Sequence, residues 1–212
     1  PDDVFALKSY LNRDQYGDTP LLYGESYAAE YKRVKDNDGW KVDSKVGEAL
    51  WAKKIKSAPG EPDQYEMYGH KEKYRYVDAF NMIFPRMYSK QQSHINAYKE
   101  WGSIKGRKIQ YENMGQTQSA TVPTFGENLM FFFRYQVGFM YWRYFMWNFV
   151  GRQNDIQGHG EVTNGNWISG INFIDSFILG DQSNLPDLQK NNKGRNTYFF
   201  LPLILGILGI LY

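Results

Sequence analysis

The chain has no cysteine, so disulfides, thiol nucleophiles and thiolate metal sites are excluded from any account of its fold or chemistry. It has almost no net charge. Twenty-five Lys and Arg against 23 Asp and Glu leave +2, too balanced to hold a polyanion by bulk attraction, and no nucleic-acid partner is expected. No Asn-x-Ser/Thr acceptor occurs, no basic-plus-apolar leader follows Pro1-Asp2-Asp3, and there is neither an internal repeat nor a low-complexity tract. Carboxylate pairs suited to glycosidase work, a nucleophile elbow and a phosphate-cradling glycine loop are missing too. What the chain does hold is a concentration of rings: from Phe125 to Phe149, 12 of 25 residues are aromatic, interrupted by Arg134 and Arg143. A second, charge-free apolar run occupies Tyr198–Tyr212.

Trp and Tyr favour the water–lipid boundary because their rings are apolar while their N–H or O–H needs a polar partner. The aromatic stretch therefore reads as a helix lying at a membrane interface or entering it partway. A plain span is disfavoured, since an arginine near a helix centre costs about 2.5–3.5 kcal/mol on insertion scales. Thr124 and Glu127 form a capping-box pattern at its start. Glu127, Arg134, Tyr141 and Asn148 recur every seventh position, which in an α-helix places them on one face. The terminal run is shorter than the roughly 20 residues a span requires, so it reads as a transmembrane helix cut short, and the chain as a fragment.

Upstream, an acidic start and the spacing of Val4, Leu7 and Leu11 predict a short helix over 3–15, broken at Tyr16-Gly17-Asp18. Pro20–Gly24 reads as a buried strand and 28–35 as a second. Residues 36–63 read as a solvated connection, 71–86 as extended, 91–101 as a short helix, and 115–122 as a polar linker. The expected class is α+β: a mixed extramembrane portion over 1–121, the aromatic helix over 122–156, a polar loop region over 157–196, and the start of a transmembrane helix over 197–212.

The sharpest polar cluster follows the aromatic helix: Arg152, Gln153, Asn154, Asp155, Gln157 and His159. A guanidinium offers phosphate a planar fork of donors, and Asn, Asp and Gln hydrogen-bond sugar hydroxyls, so the loop fits a phosphate-bearing lipid or a glycan headgroup. The competing reading pairs Arg152 with Asp155 to close the helix end. Asp155, His159 and Glu161 match no metal motif, and no metal or other cofactor is expected. Arg86, set in an apolar stretch, calls for a buried partner or an anionic ligand. Arg134 anchors through its long stem, and Trp142 and Trp147 through their rings.

The runs Leu11-Asn12-Arg13-Asp14-Gln15-Tyr16-Gly17-Asp18, Phe84-Pro85-Arg86-Met87-Tyr88-Ser89 and Pro123-Thr124-Phe125-Gly126-Glu127-Asn128-Leu129 carry a family resemblance. So do the 18 residues from Tyr141 to Gly158, and Leu201-Pro202-Leu203-Ile204-Leu205-Gly206. Together they resemble the large multi-pass membrane proteins of Bacteroidota long grouped under a domain of unknown function, over nearly the whole chain. That family is similar to the transmembrane protein O-mannosyltransferases, of the GT-C type. The resemblance implies a bacterial inner-membrane glycosyltransferase that takes a sugar, mannose among the candidates, from a polyprenyl-phosphate carrier on the extracytoplasmic (periplasmic) side. A protein or glycan would be the acceptor, with membrane lipid and the lipid-linked sugar donor as the other partners. The GT-C catalytic acid lies in the first extracytoplasmic loop, outside these residues, so no catalytic position is carried over. Arg86, Arg143, Arg152, Asn154, Asp155 and His159 become candidates for binding the lipid-linked sugar or the acceptor. A non-catalytic envelope protein with an extracytoplasmic docking portion is the reading from a different class.

Overall fold

The structure is a computed structural model that describes residues 3–14, 17, 19–58 and 60–212. The expected break at Tyr16 and Asp18 lies outside the described residues. The architecture is α+β, in two compact units, Pro1–Met130 and Phe131–Tyr212.

The first unit opens with α1, Val4–Leu11, where the Asp3 carboxylate accepts the Ala6 N–H at 2.7 Å and so satisfies a donor the helix start leaves free. β1 (Tyr23–Glu25) pairs antiparallel with β6 (Asn81–Ile83). β2 (Arg33–Asp36) and β3 (Gly39–Val42) form a hairpin closed by Asn37-Asp38, and β4 (Ser44–Lys53) pairs with β5 (Tyr65–Tyr74) in a longer one. Residues 36–63 are thus mostly strand and not the solvated connection expected. The reason is that neither face of these two-stranded ribbons is buried, so Lys and Glu occupy both faces and no period-2 alternation marks them. α2 spans Gln92–Gly102, close to expectation, and ends on Ser103 in the left-handed region.

β7 (Arg107–Asn113) and β8 (Gln116–Val122) turn through Met114-Gly115, both at positive φ, as a tight hairpin requires. The expected polar linker over 115–122 is therefore a strand. Its inward residues, Ala120 and Val122, join Ala29, Phe80, Tyr111 and Ile109 in the core. The Phe80 and Tyr111 rings meet edge to face at 4.8 Å, and burial pushes the Tyr111 phenol up to about 12. The buried Asn113 amide joins the hairpin to the start of β2 and the chain just before it, accepting from Arg33 N–H and donating to Tyr31 O, each at 3.2 Å.

Two side chains at the start of α3 (Phe125–Phe131) organise the end of this unit. The capping box forms as the sequence predicts: Glu127 N–H donates to Thr124 Oγ1 at 3.2 Å, and Thr124 N–H donates to Glu127 Oε2 at 2.7 Å. The other carboxylate oxygen accepts the N–H groups of Lys105 at 2.6 Å and Gly106 at 2.9 Å. Burial alone would raise the Glu127 pKa, but the bonds from Thr124, Gly106 and Lys105 outweigh it and hold the carboxyl below the usual range. Asn128 is fully buried and grips Phe84-Pro85-Arg86, accepting from Arg86 N–H at 2.9 Å and donating to Phe84 O at 2.8 Å.

In the second unit the coil of residues 132–142 has a π-helical ladder, illustrated by Arg143 N–H donating to Gly138 O, and continues into α4 (Arg143–Phe149). Helical structure thus covers much of the aromatic stretch. The seven-residue spacing of Arg134, Tyr141 and Asn148 no longer defines one face, because each hydrogen-bonded ring here encloses one residue more than in an α-helix. β9 (Gly151–Arg152) pairs with β10 (Asn196–Thr197) around the buried Val150 and Ile168. Within the region expected to be polar loop lie α5 (Asn172–Leu179) and α6 (Asp187–Lys190). α7, Leu201–Leu211, follows Phe199 and Phe200, both at positive φ. Its 11 residues rise about 16 Å against a hydrocarbon layer of about 30 Å. Among the described residues no helix is long and apolar enough to cross a membrane.

Candidate functional site

The residues after α4 fold back on themselves through side-chain amides. Gln153 and Asn154 are both buried. Gln153 donates to Val162 O at 2.8 Å and accepts from the Asn166 side chain at 3.0 Å. Asn154 donates to Thr163 O at 3.1 Å, while its oxygen accepts Gly165 N–H at 2.9 Å and Ile156 N–H at 3.3 Å. Each amide stands in for a backbone partner that the loop lacks. Arg143 reaches the same turn, donating to Gly165 O, while its Nε donates to Phe139 O at 3.0 Å and its guanidinium lies 4.3 Å from the Phe139 ring. Of the expected ligand-binding set, Arg143 and Asn154 thus converge on Gly165 as structural clamps.

Arg152 is differently placed. Its guanidinium lies 4.0 Å over the Trp147 ring, and among the described residues neither its Nε nor the Trp147 Nε1 finds a partner although both atoms are buried. It pairs in register with Asn196, whose buried Oδ1 also lacks a partner among the described residues. The backbone of β9 is held so closely that a Cβ on Gly151, at φ +150°, would lie 2.5 Å from Ile168 O and 2.6 Å from Asn196 O. No ion pair joins Arg152 to Asp155 among the described residues, so the pairing of the competing reading is not how the helix closes.

Asp155 and His159 are exposed. Asp155 packs beside Gly194, and His159 N–H donates to Glu161 Oε2 at 2.7 Å, a bond that holds the Glu161 carboxyl below its usual range. Among the described residues no group of three or more His, Asp or Glu is arranged to hold a metal. Arg86 belongs to the first unit, where Nη2 donates to Leu21 O at 2.7 Å and the guanidinium lies 4.1 Å from the Phe84 ring. Trp142 is half exposed and stacks on Phe145, and Arg134 stands exposed on the π-helical coil.

Sequence reasoning overlooked Asp175. This buried carboxylate accepts Ser169 N–H at 2.6 Å, Ser169 Oγ at 2.8 Å and Gly170 N–H at 2.9 Å, and so ties α5 to the strand region before it. The signal was available, since a lone acid inside the apolar run 168–179 has to be paired.

The second unit also carries a bare apolar surface. Phe173, Phe177, Leu188, Ile210 and Leu211 are each at least 78 % exposed, and Phe133, Tyr141, Trp142 and Tyr144 are half exposed or more. The class defined so far is an α+β protein of two units, one with a small mixed core and one with an unusually apolar exterior. Residues 17–133 match the family of unknown function DUF8416, and the chain belongs to that family. No curated protein and no solved structure matches it.

Proposed function

We propose that the chain is the extracytoplasmic portion of an integral-membrane, glycosyltransferase-like protein of the bacterial inner membrane, in which the second unit is seated at the membrane surface. The intact protein transfers a sugar such as mannose from a polyprenyl-phosphate carrier to an extracytoplasmic protein or glycan. The observation that carries the membrane seat is the exposed array of Phe, Leu, Ile, Tyr and Trp on α5, α7 and the π-helical coil, whose contact with water is unfavourable by about 25 cal/mol per Å². The transferase reading draws on the resemblance to multi-pass Bacteroidota membrane proteins related to O-mannosyltransferases. Arg152 supports it locally, as an arginine with an unpartnered buried donor beside an indole, suited to a lipid-linked phosphate.

The second reading, a non-catalytic docking portion, is favoured by one finding: Arg143, Gln153 and Asn154 are committed to backbone groups of their own loop. Sugar transfer by the intact protein separates the two, and Arg152→Ala tests the local assignment. A fall of tenfold or more in sugar transfer from the lipid carrier, with the fold retained, is expected. Unchanged rate and apparent affinity would assign Arg152 to packing alone.

A further inference from the structure

Among the large apolar side chains that stand more than half exposed on the first unit are Leu21, Leu22, Tyr23, Ile83 and Phe125. Pairing makes them neighbours. Tyr23 lies opposite Ile83 in the β1–β6 ladder, Phe84 N–H donates to Leu22 O at 2.7 Å, and Arg86 holds Leu21 O. Tyr23, Ile83 and Phe125 then line, with Met82, Pro123, Arg107 and the polar Asn81 and Thr124, one open groove of about 470 Å³. Of the described residues that line it, Arg107 alone carries a charge. Its guanidinium has no acceptor among the described residues, and the side chain is exposed.

From this we infer that the groove face of the first unit rests on a phospholipid leaflet, with Arg107 meeting headgroup phosphate and Ile83 and Phe125 entering the acyl boundary. Apolar surface alone fits any apolar partner. The added cation without a counterion selects a partner that is apolar and anionic within a few ångströms, which is the profile of a phosphate-bearing bilayer surface. Tyr23 suits the same depth, with an apolar ring and a hydroxyl that stays wet. Phe125 also begins the aromatic stretch, so the groove lies next in the chain to the segment read as membrane-seated. The inference rests on that membrane reading and adds to it a second contact with the bilayer.

Because the chain lacks cysteine, single labels are clean reporters. Ile83→Cys, Leu208→Cys and Val46→Cys, each in the full chain with an environment-sensitive nitrobenzoxadiazole label, are reconstituted in phosphatidylcholine vesicles with and without phosphatidylglycerol. Brominated acyl chains serve as the quencher. Val46, exposed on β4, is the control. Quenching is expected at positions 83 and 208 and not at 46, stronger at 83 with phosphatidylglycerol. Arg107→Glu should weaken it at 83 but not at 208, with the docking equilibrium shifting roughly fivefold per charge. If 208 is quenched and 83 is not, this inference falls and the membrane seat of the second unit stands; if neither is quenched, both fall. Equal quenching at 83 and 46, or quenching at 83 indifferent to Arg107→Glu, would also overturn it.

Discussion

Replacing Glu127 with alanine tests the cap of α3 most directly. Its carboxylate accepts four hydrogen bonds, from Lys105 N–H, Gly106 N–H, Thr124 N–H and Thr124 Oγ1, at 2.6 to 3.0 Å. A hydrogen bond to a charged group contributes about 1.5–3 kcal/mol, and a helix cap about 1 kcal/mol. The site is only partly buried, so water replaces some of what is lost, and a net destabilisation of about 2–4 kcal/mol is expected for Glu127→Ala. Chemical denaturation of the full chain in micelles measures the total, and amide exchange at Lys105, Gly106 and Thr124 locates it. The same site sets a pH dependence. The folded carboxyl is held below the usual glutamate range, so its contribution is fully present above that range and is lost as pH falls through the depressed pKa. Glu127→Gln should flatten this acid limb. A cost under about 1 kcal/mol with unchanged exchange at the three amides would refute the reasoning, because four bonds of this length cannot all be idle.

Asn154→Ala should destabilise the second unit by about 2–4 kcal/mol, leaving Gly165 N–H and Thr163 O short of partners. Thermal unfolding checks it, and a stable variant would return Asn154 to the list of ligand-binding candidates. Gly151→Ala, at φ +150° and with backbone oxygens 2.5 and 2.6 Å from the new Cβ, should cost about 2 kcal/mol or more and loosen the β9–β10 pair, read by exchange of the Tyr198 N–H that donates to Val150 O. Lys90 sits 4.4 Å from the Tyr31 ring and 4.2 Å from the Tyr76 ring, where burial pulls its ammonium pKa down. Lys90→Met, which keeps the stem and removes the cation, should cost about 0.5–1 kcal/mol in denaturant unfolding.

Much of the helical framework was legible. The capping box at Thr124 and Glu127, the helix near 92–102 and the aromatic coil each carry a local pattern strong enough to survive in isolation. The ribbons were not, for a physical reason: β2 is exposed along its whole length and β4 and β5 along most of theirs, so nothing forces apolar residues onto alternate positions. The β7–β8 hairpin could have been read, since Ile109, Tyr111, Ala120 and Val122 alternate about Met114-Gly115. In the polar loop, composition cannot distinguish an amide that binds a ligand from one that closes its own turn, because both need the same donors and acceptors. Arg152 and Asn154 stand two residues apart, yet one clamps a loop and the other keeps a buried donor unpartnered.

The wide winding of residues 132–142 makes the second unit sensitive to length. Losing one residue there would let the segment tighten to an ordinary helix, and everything beyond it would swing by about 100° around the axis. Met146 and Val150, now inside, would turn outward, and the indole now lying under Arg152 would move away from it. Hydrophobic residues in this coil are interchangeable to a degree that its residue count is not.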